Sequence, residues 1–195
     1  MRVIAGRYKG RRLTSPRWPG LRPTSDKLRE TLFNILAPRL DGARVLDGFA
    51  GTGALGIEAR SRGAAHVTFV DRDRRAMALV AENLGRCGIT DGYAMIRGGV
   101  EAIAGAAASG PFDLILLDPP YDEANIRTTI EAVARTLADG GLLVLEHARR
   151  RSAPGSAGDL VCARDVGSGD SALAFYERGD SVGARRVVPL RRDEA

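Results

Sequence analysis

Val45-Leu46-Asp47-Gly48-Phe49-Ala50-Gly51-Thr52-Gly53-Ala54-Leu55-Gly56-Ile57-Glu58-Ala59 is the stretch whose reading decides the fold. Apolar residues run into an acid, a loop of small residues follows, and an alanine- and leucine-rich segment then reads as a helix. A strand, a tight turn and a helix start, in that order, make the nucleotide pocket of α/β proteins. Gly51, Gly53 and Gly56 satisfy the Gly-x-Gly-x-x-Gly fingerprint, and Asp71 stands 20 residues past Gly51. Taken alone, that pattern points to a nicotinamide enzyme. Asp47 argues otherwise, because a fixed carboxylate at the strand end repels a pyrophosphate, which wants bare N–H groups and a helix N-terminus. It favours a cationic ligand, and S-adenosylmethionine carries both an ammonium and a sulfonium. An ordinary strand–helix turn would need glycine only for a positive φ. Three glycines, a strand-end acid and a second acid one unit later exceed that need.

Outward from this loop the pattern alternates. Strands are expected over 44–47, 66–71, 93–97, 112–117 and 142–147, with helical segments near 54–62, 74–85, 99–108 and 125–137. Short apolar runs without polar alternation imply parallel strands buried on both faces. Right-handed crossovers then give a Rossmann-like, mostly parallel, doubly wound α/β sheet whose ligand crevice opens at the C-terminal strand ends. Asp47, Asp71 and Asp118 all fall at such ends. Two further strands, 160–166 and 171–176, read as a C-terminal antiparallel hairpin across Gly167-Ser168-Gly169. Ahead of the α/β unit, residues 2–14 read as a small hairpin, and Thr24-Ser25-Asp26 caps a helix that Pro38 ends. The expected organisation is a basic hairpin-and-helix extension over 1–40, a ligand-binding domain over 41–178 and a basic, frayed tail over 179–195.

The second informative stretch is Phe112-Asp113-Leu114-Ile115-Leu116-Leu117-Asp118-Pro119-Pro120-Tyr121. A buried strand delivers Asp118 to the rim, and two prolines hold the backbone stiffly with no N–H to donate. Carboxylate and carbonyl oxygens are left free, and an aromatic ring follows. That set suits an exocyclic amine on a planar ring, whose lone pair is conjugated and poorly nucleophilic. Acceptors from Asp118 and the Pro119 carbonyl would bond both amine hydrogens and bring the nitrogen toward tetrahedral geometry. Tyr121 would stack on the base, a contact worth ~1–3 kcal/mol. Asp71 is placed for ribose hydroxyls; the competing reading makes it a cap before Arg72-Asp73-Arg74. Arg97-Gly98-Gly99-Val100 ends the third strand where an adenine would lie, offering backbone groups and an apolar wall.

At 195 residues, the chain most simply makes one domain with a core of its own. No apolar run approaches the ~20 residues of a membrane span, and the N-terminus lacks an apolar signal core, so the expected location is cytoplasmic. Cys87, Cys162, His66 and His147 are isolated, which argues against a metal site or a disulfide framework. The net charge of +5 is unevenly placed: residues 1–30 hold nine Lys/Arg against Asp26 and Glu30, so that arm carries +7 and the remainder −2. Charge gathered at one end of a balanced domain is the footprint of a polyanion partner, and Tyr8 and Trp18 within it offer stacking surfaces.

These residues resemble the motifs of class I S-adenosylmethionine-dependent amino-methyltransferases, Asp47-Gly-Phe-Ala-Gly-Thr-Gly53 as the cofactor motif and Asp118-Pro-Pro-Tyr121 as the acceptor motif. More narrowly, the chain resembles the RsmD family, which methylates the N2 amine of a guanine in 16S (small-subunit) ribosomal RNA. The most specific stretches are Met1 to Leu13, Leu21 to Asn34 and Gly169 to Tyr176. The resemblance implies S-adenosylmethionine contacts at Asp47, Ala50, Gly51, Thr52, Gly53, Asp71, Arg72 and Val100. It implies an acceptor site at Asp118, Pro119, Pro120 and Tyr121. RNA contacts are expected at Lys9, Arg11, Arg12, Arg22 and Thr24, with the Arg22-Pro23-Thr24 block closing over the pocket. The expected partner is 16S rRNA, within the small subunit or an assembly intermediate, and the expected state is a monomer. Two positions depart from the family pattern. Gly48 replaces a larger apolar residue, which is expected to loosen the cofactor loop, and Arg97-Gly98-Gly99 lacks a polar side chain for adenine.

Competing readings keep the cofactor and change the acceptor to adenine N6 in RNA or DNA or to a protein glutamine. Others make the chain a nicotinamide dehydrogenase, which Asp47 disfavours, or an idle RNA-binding assembly factor, which has no need of Asp118-Pro-Pro-Tyr121.

Overall fold

Apolar runs bounded by glycine or acid become strands, and the computed structural model, which describes residues 1–16, 25–105, 110–120, 123 and 125–179, joins them in one sheet. The strands are β1 (Arg44–Gly48), β2 (His66–Asp71), β3 (Tyr93–Arg97), β4 (Phe112–Leu117), β5 (Leu137–Ala148), β6 (Ser156–Ala157), β7 (Leu160–Ser168) and β8 (Ser171–Arg178). Their order is β3-β2-β1-β4-β5-β8-β7-β6. The first five are parallel and the last three antiparallel. The order reverses between β1 and β4, the switch point at which such sheets open a crevice.

Helices cover both faces. On one, α1 (Asp26–Leu36), α2 (Ala54–Ser61) and α3 (Arg74–Cys87) bury Phe33, Ile57 and Leu84 against Phe69, Leu114 and Leu116. On the other, α4 (Ile126–Ala134) sets Ile130 and Val133 on Leu46, Ile115 and Leu117. Ser25 caps α1 by accepting the Leu28 N–H at 3.1 Å, as its position before the apolar repeat predicts. Among the described residues no helix is long and apolar enough to cross a membrane.

Several boundaries differ from the sequence reading, among them the C-terminal hairpin, whose β7 runs through Ser168 and pairs Gly167 and Ser168 with β8, so that it turns at Gly169-Asp170. The helix expected over 99–108 is a 3-10 turn, Val100–Gly105, because its buried anchors Val100 and Ile103 lie three apart, the period of that tighter helix. The helix expected to reach residue 137 stops at Ala134, and Leu137 already pairs with Phe112 as the start of β5. The two-residue β6 is too short to leave a periodic signal. The tail beyond Gly179 lies outside the described residues.

The basic front section is fastened to the sheet domain. Val3 and Leu13 enter the same core as Leu28, Phe33 and Ile57. The hairpin closes on itself through Val3 N–H to Arg11 O (3.0 Å) and Gly10 N–H to Val3 O (2.9 Å). It then lies along α2: Ile4 and Ala5 N–H donate to the fully buried Glu58 carboxylate at 2.7 and 3.0 Å. Arg7 and Tyr8 N–H reach the Ser61 carbonyl and hydroxyl at 2.7 and 2.9 Å. Glu58 also holds Arg62 at 2.7 Å, and buried Arg29 spans Arg2 O at 2.7 Å and Asp26 at 2.8 Å. The Glu58 carboxylate and Arg29 Nη2 are buried polar groups whose partners lie on the hairpin, so the hairpin is tied down at several points.

The packing of α2 on β2 leaves no room at Gly56, where a Cβ would lie 2.8 Å from both Phe69 Cζ and Val67 Cγ1. Both neighbours are core side chains, so Gly56→Ala forces overpacking and is expected to destabilise the protein by about 1–3 kcal/mol in urea unfolding. An unchanged midpoint would show that the helix can lift without loss.

Candidate active site

The loop after β1 is built from backbone conformations that side chains resist. Phe49 (φ 60°), Gly51 (φ 54°) and Gly53 (φ 75°) all sit in the left-handed region. For glycine this is free, but for Phe49 it is strain that the surroundings must overcome. The restraints are visible. Ala50 N–H donates to Val70 O at 2.9 Å and Gly53 N–H to Ala50 O at 2.7 Å. Gly51 N–H donates to Asp71 Oδ2 at 2.9 Å, so the end of β2 fixes the turn after β1. Phe49, in a sparsely allowed conformation beside the crevice, is a site feature that residue type alone could not announce.

Asp47 is 1% exposed, and its Oδ2 accepts the Gly56 N–H at 2.8 Å in the first turn of α2. The acid therefore pins the helix start from beneath. Burial pushes its carboxyl well above the usual carboxylate range, with the negative charges of Asp118 and Asp71 adding to the rise and the Gly56 bond opposing it. Asp71 is half-buried and spends one oxygen on Gly51 and the other on Asp73 N–H at 2.8 Å. Asp73, not Asp71, caps α3, accepting the Arg75 N–H at 2.8 Å. A carboxylate oxygen accepts two bonds, so Asp71 keeps capacity toward the crevice.

Asp118 lies just past β4, half-buried, and its N–H makes a long 3.4 Å bond to Gly48 O. The two motif loops thus touch through backbone at the switch point. Pro119 is buried and Pro120 exposed; Tyr121 lies outside the described residues, as do Arg22 and Thr24. Gly51 and Gly53 are buried within the loop, with Ala50 and Thr52 each 7% exposed. Arg72 is exposed and paired with Glu101, which joins the rim at β2 to the 3-10 turn. Val100 is 2% exposed and forms a wall beneath Gly48.

That wall corrects the expectation of a loose loop at Gly48. A Cβ there would lie 2.7 Å from Leu117 Cδ2 and 3.1 Å from Val100 Cγ1. The volume a larger residue would take is filled by these two side chains, and the loop is packed.

Sequence reasoning missed three residues. Asn83 on α3, fully buried, accepts the Thr14 N–H at 2.7 Å through Oδ1, while its Nδ2 donates to Thr14 O at 3.2 Å and to Thr52 O at 2.9 Å. One amide therefore ties the end of the hairpin to the loop after β1. Glu58 is the second, since it reads as an ordinary helix-surface acid. Glu146 is the third: it is 5% exposed on β5, one residue past the Leu117–Leu145 pair and so level with Asp118. No spacing signal marks Asn83, whose partners lie 69 and 31 residues away.

The hairpin cations are displayed along α2. Arg2, Arg7, Lys9, Arg11 and Arg12 are exposed, with Arg7 lying 5.5 Å from the Tyr8 ring centroid. Lys9 is at the turn, near the Ser61 end of α2, whereas Thr14 is at the cofactor loop. Eight helical residues separate these levels, roughly 12 Å.

Comparison with known proteins agrees with this geometry. The family model described as Conserved hypothetical protein 95 matches residues 1–177. The Bacillus subtilis (strain 168) protein YlbH is 41% identical over 182 residues, covering 91% of this chain and 99% of that one. Ribosomal RNA small subunit methyltransferase D of Escherichia coli (strain K12) is 36% identical over 181 residues, covering 91% and 90%. The solved structure of yhhF from Escherichia coli superposes with a TM-score of 0.78 at 34% identity, covering 91% of this chain and 97% of that one.

Because burial raises the Asp47 carboxyl, its proton is held more tightly in the folded than in the unfolded chain. Stability therefore falls as pH rises from the ordinary carboxylate range through the raised folded value. Asp47→Asn keeps an acceptor for Gly56 N–H and removes the ionisation. In urea unfolding the variant is expected to gain on the wild type between pH 5 and pH 8; parallel stability curves would place the ionisation elsewhere.

Proposed function

The chain belongs to the Conserved hypothetical protein 95 family, and from that premise we propose that it is an S-adenosylmethionine-dependent methyltransferase acting on the N2 amine of a guanine in small-subunit ribosomal RNA. The observation that carries the reading is the convergence of Asp47, Asp71 and Asp118 on one rim, with the Asp118 backbone bonded to Gly48 at the switch point.

The residues present fit the methyl donor. Glycine at 51 and 53 lets the loop take its left-handed turns, with Gly53 packed against Val80 and Phe69, and the acids at the rim suit a cation. Asp71 has acceptor capacity left for ribose hydroxyls, and Val100 gives the adenine an apolar wall. S-adenosylmethionine supplies an electrophilic methyl group on a sulfonium. The protein's share is positioning and electrostatics. Asp118 and the Pro119 carbonyl accept the two hydrogens of the target amine and orient its nitrogen lone pair toward the methyl. Pro119 and Pro120 lack N–H groups, so they add no donor of their own to this side of the site. Tyr121 stacks on the guanine. The exposed cations from Lys9 to Arg12 follow the RNA backbone toward the crevice, with Arg22 and Thr24 continuing that contact. The protein–glutamine alternative shares the acceptor chemistry but gives no use to a fixed cationic hairpin; the adenine alternatives in RNA or DNA share both features, and it is the rRNA methyltransferase relatives that favour rRNA over them.

The decisive experiment is methyl transfer from labelled S-adenosylmethionine to small-subunit rRNA, free and assembled, with the product nucleotide mapped. Asp118→Ala is expected to lower turnover at least 100-fold while the affinity for S-adenosylhomocysteine stays within about twofold. Near-normal turnover would move the acceptor site elsewhere. Neutralising Arg11 and Arg12 to Gln is expected to weaken RNA binding and lower the slope of log affinity against log salt by about 1 per lost contact. An unchanged slope would leave the hairpin a structural element only.

A further inference from the structure

Beyond the N-terminal hairpin, we propose a second phosphate-binding element, the turn Arg149-Arg150-Arg151 after β5, which grips the RNA backbone flanking the target base. The inference rests on the RNA reading above.

Its position comes from the sheet. Leu145 pairs with Leu117, so Glu146 is level with Asp118, and Ala148 ends β5 two residues higher, roughly 7 Å further along the strand direction. The three arginines therefore rise from the same rim as the acceptor site, one strand over. All three are exposed. Arg149 and Arg150 have no carboxylate partner among the described residues, although other surface arginines such as Arg75, Arg86 and Arg127 each do.

The turn is also held in a defined shape. Arg151 N–H donates to Ala148 O at 2.8 Å, closing a four-residue turn, and Arg149 N–H donates to Asp170 O at 2.8 Å in the β7–β8 connection. Beneath it, His147 Nδ1 faces two carbonyls, Arg151 O at 2.8 Å and Ala148 O at 3.2 Å. Carbonyls only accept, so this nitrogen carries the proton and donates. His147 Nε2 lies 3.2 Å from Asp165 Oδ2 on β7, within ion-pair range though off hydrogen-bond alignment. The Arg149 guanidinium lies over Gly167, where a Cβ would come within 3.2 Å of Nε. A side chain at 167 would crowd it.

Consecutive guanidinium groups repel one another, and a merely solvated loop would be free to spread them. Here the backbone is fastened on both sides at the C-terminal end of β5, with the Arg149 guanidinium leaning over Gly167 on β7. Arginine forks match phosphate oxygens, and a pre-ordered turn reduces the entropy lost on binding. An RNA backbone that leads one base down to Asp118 must pass its neighbouring phosphates along this rim.

The test uses the full chain with Arg150→Gln, the double variant Arg149→Gln/Arg150→Gln, and Arg150→Lys. Affinity for protein-free small-subunit rRNA is measured by fluorescence anisotropy from 50 to 300 mM KCl, together with methyl transfer and S-adenosylhomocysteine binding. Each lost guanidinium is expected to lower the salt slope by about 1 and to raise the RNA KM, with cofactor affinity unchanged. Arg150→Lys keeps the charge and is expected to keep the slope. Equal slopes in wild type and double variant overturn the proposal, as does an effect confined to assembled subunits, which would assign the turn to an acidic protein surface. If the wild type itself fails to methylate rRNA, the underlying reading falls and this element with it; wild-type activity with equal slopes removes this element alone.

Discussion

The bond from the Gly56 N–H to the buried Asp47 carboxylate fixes where α2 begins, and much of the molecule is hung from α2. The absence of a side chain at Gly56 lets the helix sit against Phe69 and Val67, and the 2.8 Å bond sets its first turn over the end of β1. From the helix interior Glu58 gathers the Ile4 and Ala5 amides and Arg62, and at its end Ser61 takes Arg7 and Tyr8. An acid at a strand end thus does two jobs. It sets a buried carboxyl beneath the crevice, and it anchors the helix that holds the hairpin.

The strained loop between Asp47 and α2 follows from the same arrangement. The chain must turn from strand to helix within a few residues, and three left-handed conformations accomplish it. Glycine supplies two at little cost; Phe49 supplies the third against steric preference. Hydrogen bonds from the Ala50 and Gly51 amides to Val70 O and the Asp71 carboxylate balance that strain, so β2 serves as a clamp on a loop that belongs to β1.

Much of this was legible in the chain itself. The strand ends at Asp47, Asp71 and Asp118 could be read because apolar runs stop abruptly at an acid, and strands buried on both faces carry few other polar residues to confuse the pattern. The cap of α1 was legible within Thr24-Ser25-Asp26, whereas the competing reading gave the cap of α3 to Asp71 and it falls on Asp73, two residues later. What stayed hidden was the set of buried polar side chains whose partners are distant in sequence. Asn83, Glu58 and Glu146 look like surface residues until the fold brings a hairpin, a loop or a neighbouring strand to them. Gly48 misled for the opposite reason. A small residue implies empty space only if nothing else fills it, and Leu117 and Val100 do.

The Asn83 amide has a consequence for how this scaffold can change over evolutionary time. Its oxygen accepts the Thr14 N–H, and its Nδ2 donates to both Thr14 O and Thr52 O in the core. Exchanging the hairpin for another would strand that amide, the Glu58 carboxylate and the Arg29 guanidinium together, each a buried polar group stripped of a partner. The hairpin is therefore not a detachable cassette. New substrate preferences on this framework must arise by replacing surface side chains one at a time, upon a backbone that the catalytic domain has already committed to keep.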